Sequence, residues 1–351
     1  MGGTWDSISL PVRPGLYINF VEAAAAQIKG GARGTVGLPL FQYAGAEAGK
    51  FYTIEKESEA IELFGAAAIE PIRLVLQGGA KEVLVYTVPK GEDGKWNAAA
   101  YTAIRDAFSS RQFNVFVFPD EISEEEQKAT QLWCKDNRED EGKHFMTVFG
   151  GSAEDDADPA AGNERTVDLA DDYVVNLISG VNIGGNVYSS GRYAPYIAGL
   201  IAGTGINKSI TYTPVRANDV IKRLKNSEIN TALQKGSLVL VHDGEKVKVE
   251  QGLVTSKRKI RAIRARQAIS TDIPKAAAES YIGKLDNNAD GQAALISAVK
   301  AYLERLELNN VLTDIVVTLD PDRKSEGDTV FLQISFTEID SMERIFLTIK
   351  V

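Results

Sequence analysis

Four short apolar runs, VLVYTV (83–88), FNVFVFP (113–119), HFMTVFG (144–150) and YVVNLIS (173–179), dominate the middle of the chain. Polar segments with helical periodicity lie between them, near residues 98–109 and 124–137. Short apolar strands alternating with helices predict a βαβ arrangement around a largely parallel sheet. The helix starts are legible as well. Ser123 is followed by Glu124, Glu125 and Glu126; a serine hydroxyl can cap free backbone N–H groups, and carboxylates suit the positive end of the helix dipole.

On either side of this pattern the reading is mixed. Pro11, Pro14 and Gly15 interrupt any helix, after which Leu16, Ile18 and Phe20 alternate with Tyr17 and Asn19, so the first twenty residues read as an extended arm ending in a strand. Strands follow near residues 34–38 and 50–54. A helix carries Ile61, Leu63 and Phe64 up to Gly65, resumes at Ile69, and stops before Gly78-Gly79. Residues 150–163, with Glu154, Asp155, Asp156, Asp158 and Pro159, hold too little apolar material to pack and are expected as an exposed loop. Residues 193–203, YAPYIAGLIAG, are small and apolar all round, which predicts a buried helix lying close to another backbone. A helix is expected over residues 218–234 with Val220, Ile221 and Leu224 at core spacing. A hairpin over residues 237–255 turns at Asp243-Gly244, a strong turn signal between alternating strands. Beyond it come a basic strand, a helical segment over residues 273–306 interrupted at residues 286–291, and strand-like runs at 314–320, 329–340 and 343–351.

Both extremes of the chain therefore read as strands, although termini fray unless something ties them down. In the last run Ile345, Leu347, Ile349 and Val351 share one face, and Phe346, Thr348 and Lys350 share the other. That apolar face is received either by the chain's own sheet or, through strand addition, by a neighbouring subunit.

Composition removes several functional classes. Among 351 residues, 44% hydrophobic, no run approaches the roughly 18 consecutive apolar residues of a membrane span, and no signal peptide is expected at the N-terminus. One cysteine, Cys134, and two histidines, His144 and His242, leave little material for a disulfide or a thiolate metal site. With 39 basic against 48 acidic residues, a net charge of −9, the chain is not composed as a nucleic-acid binder.

Individual motifs also fail. In residues 199–209, GLIAGTGINKS, Ile206 and Asn207 separate Gly205 from Lys208 where a phosphate loop needs Gly-Lys adjacent, and Lys208 stands where a dinucleotide fingerprint needs its third glycine. The turn Asp286-Asn287-Asn288-Ala289-Asp290-Gly291 matches the first half of a calcium loop, but Ser297 stands where the closing glutamate belongs, so a helix cap is the favoured reading. His242 and Asp243 are neighbours on a hairpin and point to opposite faces. Cys134 beside Trp133 reads as a core thiol. No catalytic, cofactor-binding or metal-ligating residue is assigned. The densest charge feature is Lys257, Arg258, Lys259, Arg261, Arg264 and Arg266, interleaved with Ile260, Ala262 and Ile263. It lacks aromatic stacking partners, and contact with an acidic face of a second protein subunit is favoured over nucleic acid or a solvated face.

Several segments, in order, resemble the contractile tail sheath proteins of bacteriophages. They are VRPGLYINF (12–20), YIAGLIAGTGINKSITYTP (196–214), the hairpin GSLVLVHDGEKVKVEQGLVTS (236–256), IRAIRARQAISTDI (260–273), YIGKLDNNADGQAALISAVKAYLERL (281–306) and DSMERIFLTIKV (340–351). No single motif is diagnostic; the ordered series is. The same family serves phage-tail-like bacteriocins.

The resemblance implies a non-enzymatic structural subunit that stacks as six-subunit rings around an inner tail tube and contracts to drive that tube through a target envelope. It implies no cofactor, no nucleic acid and no membrane insertion. The implied partners are further copies of the chain, the tail tube protein, and baseplate and tail terminator proteins, in a virion tail or phage-tail-like particle assembled in the host bacterial cytoplasm. Terminal arms of the family donate strands to neighbouring subunits. Carried over, these are Leu16, Tyr17, Ile18, Asn19 and Phe20 at one end, and Ile345, Phe346, Leu347, Thr348, Ile349 and Val351 at the other. The expected architecture is a mixed α/β (α+β) multidomain chain with a central βαβ-type sheet, a C-terminal α/β domain and extended terminal strand arms. Its expected divisions are an arm (1–20), an N-terminal α/β part (21–84), a βαβ-like part (85–192), a C-terminal core domain (193–340) and a strand arm (341–351). From the residues alone, a Rossmann-like enzyme with a scattered active site and a monomeric binding module stay open as alternatives.

Overall fold

The computed structural model describes residues 28, 30, 31, 33–90 and 98–350. The first half holds β1 (Thr35–Leu40), β2 (Phe51–Ile54), α1 (Glu57–Phe64), α2 (Glu70–Gly78), β3 (Glu82–Thr87), α3 (Ala98–Ser109), β4 (Val115–Val117), α4 (Glu124–Glu139), β5 (Met146–Phe149), α5 (Ala153–Ala157), α6 (Pro159–Asp168) and β6 (Val174–Asn176). The second holds β7 (Val181–Ile183), β8 (Asn186–Tyr188), α7 (Ser190–Gly203), β9 (Asp219–Val220), α8 (Asn226–Lys235), β10 (Leu240–His242), β11 (Val247–Val249), α9 (Ile260–Ser280), α10 (Ala289–Leu308), β12 (Leu312–Leu319) and β13 (Leu332–Glu338).

The expected central sheet forms. Its order is β2-β3-β1-β4-β5-β6, with β1, β3, β4, β5 and β6 parallel and β2 antiparallel at one edge. Every residue of β4 and β5 is buried, which explains their uninterrupted apolar sequences: a parallel sheet has helices over both faces. Helix α7 crosses β1, β4 and β5 and packs along α2. The glycines of residues 193–203 are what permit that approach. A Cβ on Gly199 would stand 2.0 Å from the Val75 carbonyl oxygen, and one on Gly203 would stand 1.9 Å from that of Gly79.

One apolar cluster runs from Val36 in β1 to Ile263 in α9 and includes the sheet, α7 and the β10–β11 hairpin. The expected division at residue 193 thus passes through a shared core. A second cluster joins Ile28, Ala265 and Ile269 with Tyr302, Leu303 and Leu306 of α10 and Leu312 and Val317 of β12; Leu332, Ile334 and Phe336 of β13 pack against it. Helix α9 belongs to both clusters, so it is the strut between the two parts.

Four expectations need correction. Residues 150–163 are not a loop. Ser152 caps α5 in a reciprocal box with Asp155, Asp158 caps α6 with Pro159 in its first turn, and the acidic residues counted against packing are helix-starting residues, with Asp156 turned inward. The helix expected from residue 218 starts only at Asn226, because Asp219 and Val220 pair with β7 as β9. The basic run is not a strand but the capping turn and first turns of α9, whose apolar residues Ile260, Ile263 and Ala265 keep helical spacing. Finally, the helical stretch expected to begin at residue 273 starts at Ile260 as α9; the expected interruption is present, and α10 opens after it with an Asn288 cap that accepts from Gly291 N–H.

Candidate assembly interface

The chain leaves β13 carrying acidic residues at Glu338, Asp340 and Glu343, and it runs antiparallel along the basic start of α9. Opposite charges on the two segments meet in order. The Arg266 guanidinium forks onto the Glu338 carboxylate. Arg261 donates to Ser341 Oγ at 2.9 Å and to the Asn310 carbonyl at 2.7 Å. Lys259 Nζ meets Glu343 Oε2.

Glu343 is the most fully held residue of this series. Its Oε1 accepts from Thr211 Oγ1 at 2.7 Å and Ser209 Oγ at 3.2 Å, and its Oε2 also accepts from Gln251 Nε2 at 2.8 Å. Its side chain is 8% exposed. A carboxylate is buried cheaply only when its lone pairs are filled and a counter-charge is present, and both conditions hold here. Burial pulls the Lys259 ammonium below its ordinary range, with the Asp340 carboxylate opposing; burial also lowers the Arg261 guanidinium, whereas the Glu338 hydrogen bond raises that of Arg266.

After this socket the character of the chain changes. Residues 344–350 pair with no strand among the described residues. Ile345, Phe346, Leu347 and Ile349 are between 72% and 91% exposed. Val351 and the other arm residues Leu16, Tyr17, Ile18, Asn19 and Phe20 lie outside the described residues. Nearby, β12 and β13 form a two-stranded antiparallel ribbon whose register shifts between Thr313 and Val316, with Asp314 left-handed at φ +56°. Among the described residues neither strand has a partner on its outer edge. A lone pair of strands is marginal and is a ready template for a further strand.

The basic residues therefore divide. Arg258 is on the surface opposite Asp172, and Lys257 is exposed at a left-handed turn, φ +71°. Arg261 and Arg264 are buried, which removes them from any free outer face. Arg264 donates to the Thr204 and Gly205 carbonyls, so its charge closes the negative end of α7, and burial pulls its pKa down to about 10. Lys259, Arg261 and Arg266 hold the segment after β13. Sequence reasoning missed this pairing. Its signal was present as one acidic and one basic segment of matching length, but eighty residues apart.

The other residues weighed for chemistry have structural partners. Cys134 is buried, its thiol donates to the Phe145 carbonyl at 3.2 Å, and burial pushes its pKa far up. His144 Nδ1 is 3.0 Å from the Tyr173 hydroxyl. His242 Nδ1 accepts from Gly244 N–H inside the hairpin turn. No cluster of three or more metal-ligating side chains occurs among the described residues, nor is any of their helices long and apolar enough to cross a membrane.

Two family models match consecutive stretches: the phage tail sheath protein central domain over residues 94–255 and the phage tail sheath C-terminal domain over residues 255–351. A tail sheath protein of Clostridium phage phiCD119 is 26% identical over 246 residues, covering 67% of this chain. YqbK of Bacillus subtilis is 23% identical over 287 residues, covering 74% of it. The chain spans 63% and 58% of the lengths of these two curated relatives. In fold it is similar to a sheath tail protein of Desulfitobacterium hafniense, with TM-score 0.73 at 20% identity over 93% of this chain and 100% of that one. It is also similar to the helical sheath of the anti-feeding prophage in its contracted state, with TM-score 0.74 at 18% identity over 97% and 99%.

Proposed function

Since the chain belongs to the phage tail sheath family, we propose that it is a structural subunit that polymerises as stacked six-subunit rings around an inner tail tube, and that the rings contract to drive the tube through a target envelope. The observation that carries this reading is the exposed, alternating apolar segment beyond Glu343, on a chain that also carries a two-stranded ribbon with free edges. A donor strand without an acceptor and an acceptor sheet without a third strand fit together between copies. Main-chain hydrogen bonds would hold the added strand, and alternate side chains would set its register. A head-to-tail contact repeated from one copy to the next generates a ring where the rotation closes and an open helical stack where it does not.

Residues 16–20 are the second donated strand of this proposal, and tail tube, baseplate and terminator proteins are its other partners. The particle is a virion tail or a phage-tail-like device. Catalysis has no part in this role. Negative-stain electron microscopy of the chain co-expressed with its genomic neighbours tests it. Striated tubes containing this chain are expected. A bare tube beside dispersed, folded subunits would overturn the reading.

A further inference from the structure

Glu343 is held too well for a residue in the middle of a flexible arm. The chain from Glu338 onward has two fixed points. The first is Ile339, whose N–H donates to the Val311 carbonyl at 3.1 Å and extends the β12–β13 pairing by one step beyond Leu312 and Glu338. The second is the Glu343 socket, built from three separate stretches of the body: Ser209 and Thr211 after α7, Gln251 after β11, and Lys259 at the start of α9. Between these points Ser341 Oγ accepts from Arg261, the Ser341 N–H donates to the neighbouring Asp340 carboxylate, and Met342 is 91% exposed. Immediately after the socket every described residue is exposed.

We propose that Glu343 is a releasable pivot: seated, it starts the free arm at Arg344; unseated, it moves the start of the arm back to Ile339. The three residues between the two points, together with Glu343 itself, then lengthen the free arm by about 13 Å at the rise of an extended chain. This rests on the strand-donation reading above, and gives it a length control. Two neighbouring bodies could separate or rotate by that distance without pulling either the donated strand or the ribbon apart. The chemistry of the socket suits a latch better than a permanent weld. Its donors are hydroxyls, an amide and one ammonium, all on side chains, so seating or unseating Glu343 breaks no backbone pairing. A socket of this kind is also specific, because it needs an acceptor on both oxygens and a negative charge opposite Lys259.

The test measures the arm directly in the unassembled full-length chain. Spin labels are placed on Thr348→Cys in the arm and Ala301→Cys on the exposed side of α10; the native Cys134 is buried and does not compete for label. Pulsed dipolar spectroscopy should give the narrower set of distances for the parent chain, whose arm is free only from Arg344. Glu343→Ala should broaden it and add a population displaced by up to about 13 Å. Lys259→Met with Glu343→Gln keeps the volume of the socket while removing its charges, and is the second variant should the alanine change disturb folding; it should produce the same longer population. Unchanged distance distributions in both variants would overturn the pivot. Failure of strand donation would look different, since a chain truncated before Arg344 would then still assemble while the distances responded to Glu343 as expected.

Discussion

The parallel-sheet body and the C-terminal ribbon with its arm solve opposite problems. In the body, strands such as β4 and β5 are covered on both faces and α7 is pressed on α2 until backbone meets backbone. In the ribbon the outer edges have no strand partner among the described residues, and beyond Glu343 four large apolar side chains stand in solvent. Apolar surface of that extent is costly to expose and is kept where a partner will cover it. The difference fits a body that supplies stability and a C-terminal segment that, as proposed, supplies connectivity, and each role can be broken separately.

The largest expected effect divides the two outright. Removing residues 344–351 should abolish assembly as seen by electron microscopy or sedimentation, and should leave the thermal midpoint of the isolated subunit unchanged, because the described residues 344–350 belong to neither apolar cluster. A truncated chain that unfolds at markedly lower temperature would place the arm in its own core. The second effect lies wholly in the body. Gly199→Ala drives a methyl to 2.0 Å from the Val75 carbonyl, and two backbones must separate to admit it. A loss of about 3 kcal/mol or more in urea unfolding is expected, at the upper end for overpacking. A loss below about 0.5 kcal/mol would mean that α2 and α7 do not depend on close approach.

The basic group at the start of α9 sharpens the comparison, since it contains both kinds of residue. Arg264→Glu places a negative charge against the carbonyl end of α7 inside the protein and should cost about 3–5 kcal/mol, the range for breaking a buried charge arrangement. Arg258→Glu, at a half-exposed side chain 3.5 Å from Asp172, should cost about 1 kcal/mol or less. Equal losses from the two in chemical denaturation would refute the division of the stripe.

How far the fold could be read in advance follows the same line. The body was legible because its signals are local. Apolar runs of four to seven residues, a serine before three glutamates, and glycines at helical spacing each constrain a few neighbouring residues in only one way. Errors arose where a local signal had two physical readings. Asp155, Asp156 and Asp158 lowered the apolar content of residues 150–163 and so suggested a loop, yet the same side chains cap α5 and α6 and reach Ser190. Charge at residues 257–266 suggested an exposed strand, while Ile260, Ile263 and Ala265 already carried the spacing of α9. The Glu343 socket was illegible for another reason. Its members come from residues 209, 211, 251, 259 and 343, and no sequence pattern announces that a carboxylate will find donors from three distant stretches.

An effect that depends on pH tests whether the body is as fully satisfied as its core implies. Asp156 is buried; its Oδ2 accepts from Ser190 N–H at 2.6 Å, at the start of α7, whereas its Oδ1 is without a hydrogen-bond partner among the described residues. Burial pushes its pKa up to about 6; the hydrogen bonds from Ser190 and the Arg165 charge oppose the shift, and Asp155 adds to it. A carboxyl raised in the folded state binds its proton more tightly there than in the unfolded chain. Its contribution therefore makes stability fall as pH rises from about 4 to about 6, and the penalty persists above that. Asp156→Asn keeps an acceptor for Ser190 and removes the ionisation. It should be more stable than the parent by about 1–3 kcal/mol at pH 7.5, with the difference shrinking to about 0.5 kcal/mol or less near pH 4, measured by urea unfolding at both values. A difference that did not depend on pH would show that the carboxyl is not the weak point. A difference that vanished at acid pH would locate an incompletely satisfied charge at the contact between α5 and the start of α7, far in sequence from the arm proposed to carry assembly.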